Sequence, residues 1–207
     1  MESIRSLRGS CWQENPDVFC EKTANVINPI EIIKEFYPPG TKGYETLIRH
    51  CRQVTQKALE TAQRVFHLKP DLDFIAQAAM LHDIGIFMTD AGLPGCRGHH
   101  PYLMHGTLGR KILEEKGLPE HALVCERHVG VGISAEDIVT RDLPLPVRDM
   151  RPVSIEEQII CYADKFFSKN SDGNGKEKSI PTILKEIATY GPGKVDRFKN
   201  WLEIFGD

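Results

Sequence analysis

A chain of 207 residues, 41% hydrophobic and 27% charged, has the composition of a single globular domain with a sizeable core. Its formal net charge of -3, with both signs interspersed and no basic stripe, argues against bulk nucleic acid as a partner. No window approaches the roughly 18 apolar residues of a membrane span, and the first twenty residues hold no apolar stretch of signal-peptide length. Six scattered cysteines with no CxxC pair read as reduced thiols, and together these features give the expectation of a cytoplasmic chain with no membrane partner.

In chain order, residues 1–27 show no periodicity and read as an N-terminal arm. A single domain is expected over 28–207. Its first helix opens at Asn28-Pro29-Ile30-Glu31, where Asn can cap, Pro suits the first turn and Glu31 can close a capping box. The second helix spans 44–66, with Leu47, Cys51, Val54 and Ala58 on one face and His50 at its margin. The third, 72–84, is apolar nearly all round, as a helix buried inside a bundle is. It delivers His82 and Asp83 just before Gly85, read as a left-handed stop.

A long loop with three glycines and two prolines follows, of the length that is often functional. Two helices, 105–116 and 119–128, come next, and 131–153 reads as irregular. Ser154 to Glu157 forms a capping box that opens a helix to about 169, with Asp164 at the edge of its apolar arc. Residues 171–178 read as a polar loop, and two further helices, about 180–190 and 194–204, close the chain. No alternating pattern suggests a strand, so the expected class is all-α.

Six residues on this frame carry chemistry: His50, His82, Asp83, His105, His128 and Asp164. Each begins, ends or borders an expected helix, so a bundle could bring them to one cavity. Singly, each has an ordinary reading, such as a core-edge histidine, a helix-end cation or a surface carboxylate. Together, four imidazoles and two carboxylates suit two divalent ions, which can activate a water and clamp a phosphate.

The segments LIRHCRQVTQKAL, AAMLHDIG, MHGTLGRKIL, ERHVG and IEEQIICYADKFFSK resemble the successive motifs of the HD superfamily of metal-dependent phosphohydrolases, over about residues 44–169. The resemblance implies an all-α helical bundle, here with two additional C-terminal helices. It implies that His50, His82, Asp83 and Asp164 are the basic metal ligands, and that His105 and His128 complete a dinuclear centre bridged by Asp83. Fe, Mn or Zn would be the ions, with Mg or Ni as alternatives. Several dinuclear members have HDIGK, whereas Ile86 stands at that lysine position here and no GYP motif follows, which weakens a cyclic dinucleotide assignment.

The expected activity is hydrolysis of a phosphate ester or anhydride on a small, nucleotide-like molecule. Lys165 and Arg127 are the foremost candidates for gripping phosphate, with Arg97, Arg110 and Arg148 behind them. His99 or His100, in the long loop, could donate a proton to the leaving group. Three alternatives stand: a di-iron oxygenase with the same ligand set, a metal-retaining regulatory module without turnover, and a separate zinc site on His121, Cys125 and His128. A homo-oligomer also remains open.

Overall fold

The computed structural model describes residues 27–93, 95–169 and 176–206. Most of the expected N-terminal arm, Cys11, Cys20 and most of the expected polar loop therefore lie outside the described residues. Among those described there are nine α-helices and no strand, only two isolated bridges, so the class is all-α. No helix among them is long and apolar enough to cross a membrane.

Local sequence sets most of the helix starts. α1 (Pro29–Phe36) is capped by Asn28, whose side chain accepts from the Ile30 amide, while Glu31 pairs with Lys34 at 2.7 Å instead of closing a capping box. α2 (Lys42–Arg64) begins two residues earlier than its apolar stripe, because Thr41 caps it through the Tyr44 amide. Asp71 caps α3 (Leu72–Leu81) through the Phe74 amide at 2.9 Å. α4 (His105–Glu115) and α5 (Pro119–Arg127) form a hairpin joined through Gly117, which takes the positive φ the turn needs.

The stretch 131–153 is not wholly irregular. It contains α6 (Ala135–Thr140), opened by a complete capping box in which Ser134 and Asp137 satisfy each other's backbone amides. Ser154 caps α7 (Ile155–Asp164) as expected, but the Glu157 carboxylate turns to the Val153 amide, and the helix ends at Asp164.

α2, α3 and α7 form the centre of the bundle, with the buried side chains Val54, Ala58, Ile75, Ala79, Ile159 and Ala163 between them. Two closing helices, α8 (Ile180–Ala188) and α9 (Pro192–Phe205), pack into the same core. Phe198, Trp201 and Phe205 of α9 are fully buried, and the Tyr162 ring of α7 lies 5.4 Å from Phe198 and 5.1 Å from Phe205. The Trp201 indole donates to Gln158 Oε1 at 3.0 Å, so its polar edge is satisfied as it is buried.

α3 stops at Leu81, three residues short of the expected end, and a 3₁₀ turn (Ile84–Met88) follows. Gly85 is not the left-handed stop expected there, since its φ is not positive. The reason for glycine is contact. A Cβ at Gly85 would lie 2.3 Å from the His105 carbonyl oxygen and 2.4 Å from the Gly109 amide nitrogen. Both obstacles are backbone, so α4 can cross the His82-Asp83 segment at this distance only over a residue with no side chain. Gly85→Ala should therefore destabilise the protein by about 3 kcal/mol in urea titration, the upper part of the range for overpacked cores. A loss under about 0.5 kcal/mol, the size of an indifferent surface change, would contradict this account.

Candidate metal centre

Five helices deliver the six residues to one place. His50 comes from the middle of α2, His82 and Asp83 from the end of α3, His105 from the start of α4, His128 from the end of α5, and Asp164 from the last position of α7. All six are buried. Their donor atoms fall into two groups that share one residue: His50, His82, Asp83 and Asp164 in one, and Asp83, His105 and His128 in the other.

The shared residue divides its two oxygens between the groups. Asp83 Oδ2 lies 3.1 Å from His50 Nε2 and 3.2 Å from His82 Nε2. Asp83 Oδ1 lies 3.3 Å from His128 Nε2 and 3.5 Å from His105 Nε2. Asp164 Oδ1 joins the first group, 3.1 Å from His50 Nε2 and 3.5 Å from His82 Nε2. Donors bound at about 2.0–2.2 Å to one ion stand roughly 3 Å apart, close to these distances, and within each group all the donor atoms lie within 4.8 Å of one another.

Protonation makes the fit sharper. His82, His105 and His128 each donate Nδ1–H to the carbonyl three residues earlier: Ala79 at 2.6 Å, Tyr102 at 2.6 Å and Cys125 at 2.7 Å. A carbonyl can only accept, so the proton of each neutral ring stands on Nδ1, and Nε2 presents a lone pair. His105 and His128 then bring two such nitrogens within 3.0 Å of each other. Lone pairs that close repel unless a cation lies between them. His50 Nε2, His82 Nε2, Asp83 Oδ1 and Asp164 Oδ1 are moreover buried with no hydrogen-bond partner. Native structures rarely leave such atoms unsatisfied without an ion or water to meet them. The residues fit divalent metal.

The electrostatics agree. Burial would raise the carboxyl pKa of Asp83, but a His82 held protonated by Asp83 and Asp164 in the metal-free site, together with Lys169, outweighs it and keeps the group well below the usual carboxylate range; a divalent ion would take the place of the proton on His82 Nε2. Burial opposes ionisation of Asp164 too, and Lys165 and Lys169 overcome it. His105 is pushed down to about 3 by burial and by the facing His128, so its imidazole is neutral near pH 7, as a metal ligand's must be.

The remaining sequence candidates separate. Lys165 Nζ lies 2.7 Å from Asp164 Oδ2 and lines the large cavity above the centre. Arg127 does not reach that cavity. Its guanidinium grips both oxygens of Glu157, at 2.8 and 3.0 Å, and so is neutralised away from the ligands. Arg127 precedes His128 on a helix, where neighbouring side chains diverge by about 100°. Arg110 and Arg148 converge on the buried Glu126. His99, His100 and Arg97 have exposed side chains and do not line the cavity, and the backbone bridge between Thr89 and His100 pins that end of the loop. The zinc site considered on His121, Cys125 and His128 is not formed. Cys125 donates its thiol to the Leu81 carbonyl, His121 packs edge-on against Phe74, and His128 belongs to the Asp83 group.

The residue missed by sequence reasoning is Lys169. Its ammonium lies 2.9 Å from Asp83 Oδ2 and 3.9 Å from Asp164 Oδ1, largely buried, and 6.0 Å from the centre of the Tyr102 ring. Tyr102 in turn stacks on His105, with ring centroids 4.6 Å apart. The only signal in the sequence was a second lysine four residues after Lys165.

Residues 47–168 match the family model described as HD domain, a span that contains all six candidate ligands. The chain belongs to the HD domain family. Among curated relatives, an uncharacterized protein of Methanocaldococcus jannaschii is 33% identical over 125 residues, 59% of this chain and 66% of that protein. Two tRNA (cytidine(56)-2'-O)-methyltransferases also match, from Thermoplasma volcanium at 30% identity and Picrophilus torridus at 31%. Each match covers 64% of this HD chain, but only 34% and 35% of the respective methyltransferase. Among solved structures, the HD domain of the L. monocytogenes phosphodiesterase PgpH aligns with a TM-score of 0.47 and 14% identity, over 83% of this chain and 93% of that one.

Proposed function

We propose that this HD protein is a metal-dependent phosphohydrolase that cleaves a phosphate ester or anhydride of a small nucleotide-like substrate at a two-cation centre. The observation that carries the reading is the division of Asp83, one oxygen toward His50 and His82 and the other toward His105 and His128. A carboxylate shared in this way suits a bridge between two ions. Bound there, two divalent ions (Fe, Mn or Zn, with Mg or Ni as alternatives) supply a water of lowered pKa and positive charge against phosphate oxygens.

The protein's own groups do the rest. The cavity of about 610 Å³ over the centre is of small-molecule size and includes His105, His128 and Asp164 in its wall. Lys165 and Lys169 line the same end, their ammonium groups 2.7 Å from Asp164 and 2.9 Å from Asp83, and would hold a phosphate beside the ligands. Tyr102 stacks over His105 and, with the Lys169 ammonium 6.0 Å from its ring centre, screens that side of the centre from bulk water.

Metal analysis of protein purified without chelator, followed by assays on phosphomonoesters, phosphodiesters and nucleotides, tests this. Two equivalents of metal per chain and hydrolysis abolished by chelation are expected. One equivalent would remove His105 and His128 from the centre, and oxygen consumption by an iron-loaded form without phosphate release would replace hydrolysis by oxygenase chemistry.

A further inference from the structure

His128 differs from the other candidate ligands in what holds it. His50 stands in mid-helix on α2, and His82, Asp83 and Asp164 stand at the ends of α3 and α7. His128 leads straight into a turn, 128–132, whose carbonyls meet side chains. The His128 carbonyl accepts from the Cys161 thiol at 3.3 Å and from Lys165 Nζ at 3.4 Å, and the Gly130 carbonyl lies 3.7 Å from the same thiol. The next two carbonyls meet α9. Arg197 Nη1 donates to Val131 at 2.6 Å and to Gly132 at 3.3 Å, and Lys194 Nζ donates to Gly132 at 2.9 Å. Two helices thus hold one turn. α7 lies within the span of the family model, but α9 lies beyond its last matched residue, 168. The grip of α9 has a firm base: Lys194, Arg197, Phe198 and Trp201 follow the three- and four-residue spacing of one helix face, and both aromatic rings are buried in the core.

We infer that α9 is a clamp on the second cation group: through Arg197 and Lys194 it fixes the 128–132 turn, sets where the His128 imidazole stands, and so makes binding of the second ion depend on a helix outside the family span. Carbonyls past a helix end have no ladder partner, and such ends fray unless side chains hold them. A metal site tolerates only about 0.2 Å of error in a ligand distance. The bond from Nδ1 to the Cys125 carbonyl orients the ring on its helix, and the turn decides where that helix end lies. His128 belongs to the second group alone, and Arg197 bonds to no residue of the first. Arg197 is therefore a positioning residue for one ion of the two. It is also the cleaner handle. Lys194 pairs with Asp137, which its removal would orphan, whereas Arg197 makes no ion pair among the described residues. The inference rests on the two-cation reading above.

Calorimetric titration of manganese(II) into the chelator-stripped chain tests the clamp without turnover. The binding event lost in His105→Ala marks the second ion. Arg197→Met keeps an apolar stem and deletes the donors. Arg197→Lys restores one donor, enough for two carbonyls that share a single nitrogen. In Arg197→Met the second ion should bind roughly tenfold or more weakly, the order seen when an outer partner of a ligand is removed, and the first within about twofold of wild type. Arg197→Lys should recover most of the second ion's affinity. A residue that merely stabilised the fold would weaken both ions alike or neither. Coupling is reciprocal, so in unmodified protein the second equivalent should slow amide exchange across 193–203 of α9 more than the first does. That measurement decides the matter even where Arg197→Met does not fold. The clamp is overturned if the methionine variant holds both ions as wild type does or loses both equally, if lysine fails to restore the second, or if exchange in α9 ignores it. Wild-type protein that takes up one ion alone would overturn the two-cation reading itself. Two ions, with the second indifferent to Arg197, would overturn the clamp and leave that reading standing.

Discussion

Asp83→Ala should leave a protein that binds neither cation tightly and has lost about a thousandfold or more in kcat/KM, equivalent to roughly 4 kcal/mol of transition-state stabilisation. Among the described residues no other side chain belongs to both groups, so no other substitution there can dismantle both. The contrast variant is His105→Ala. It removes a ligand from the second group and leaves His50, His82, Asp83 and Asp164 in place, so about one equivalent of metal should remain. Metal content by elemental analysis, read beside phosphate release, separates the two variants. Asp83→Ala protein that keeps two equivalents would show that the carboxylate is not shared. The substitution also removes the counter-charge of Lys169, whose ammonium stands 2.9 Å away. Orphaning one partner of a buried pair costs about 3–5 kcal/mol, so a fall in unfolding midpoint should accompany the loss of metal. Asp83→Asn keeps the shape and isolates the effect of charge.

Lys169→Met should reduce kcat/KM by roughly a hundredfold, the order seen when one positioned donor to a developing oxyanion is removed. Methionine keeps an unbranched apolar side chain of similar shape while deleting the ammonium that lies 6.0 Å from the Tyr102 ring centre. The six ligands are untouched, so metal content should stay at the wild-type level. A lysine that merely balanced the charge of Asp83 would give a different result: unchanged kinetics at saturating metal and a shift only in thermal stability. Lys165→Met offers the internal comparison. Its ammonium pairs with Asp164 Oδ2 at 2.7 Å and not with the shared carboxylate, so its loss should bear on one group of ligands more than the other.

What could be read in the sequence and what could not divides along physical lines. The six candidate ligands stand out because few side-chain types donate to a metal ion, imidazole and carboxylate among them. Caps were legible at Asn28, Asp71 and Ser154 because a cap depends on a few adjacent residues. The box at Ser134 and Asp137 carried the same signal inside a proline-rich stretch and opens α6. Gly85 was legible as special but for the wrong reason. Its constraint comes from the backbone of α4, some twenty residues away, and no local pattern encodes it.

Cations were the least legible. Arg127 and Lys165 each adjoin a ligand in sequence, yet one finds Glu157 across the bundle and the other faces the cavity. Lys169, at the expected end of its helix, carries no sign of a role until the fold buries it against Asp83. A long flexible side chain acquires its role from whichever opposite charge the tertiary structure brings near, and that partner lies far away in the chain.

Three imidazoles at the centre are oriented by main-chain oxygens three positions back, on Ala79, Tyr102 and Cys125. In many metalloproteins the outer partner of a histidine is an aspartate or glutamate, which a point mutation can delete. Here no codon change at those three supporting positions removes the acceptor, because every amino acid carries a carbonyl. The tautomeric state of the centre is thus insulated from drift in its neighbours. Each histidine travels with its own support, as a self-contained turn that keeps its aim wherever the helix end bearing it is placed.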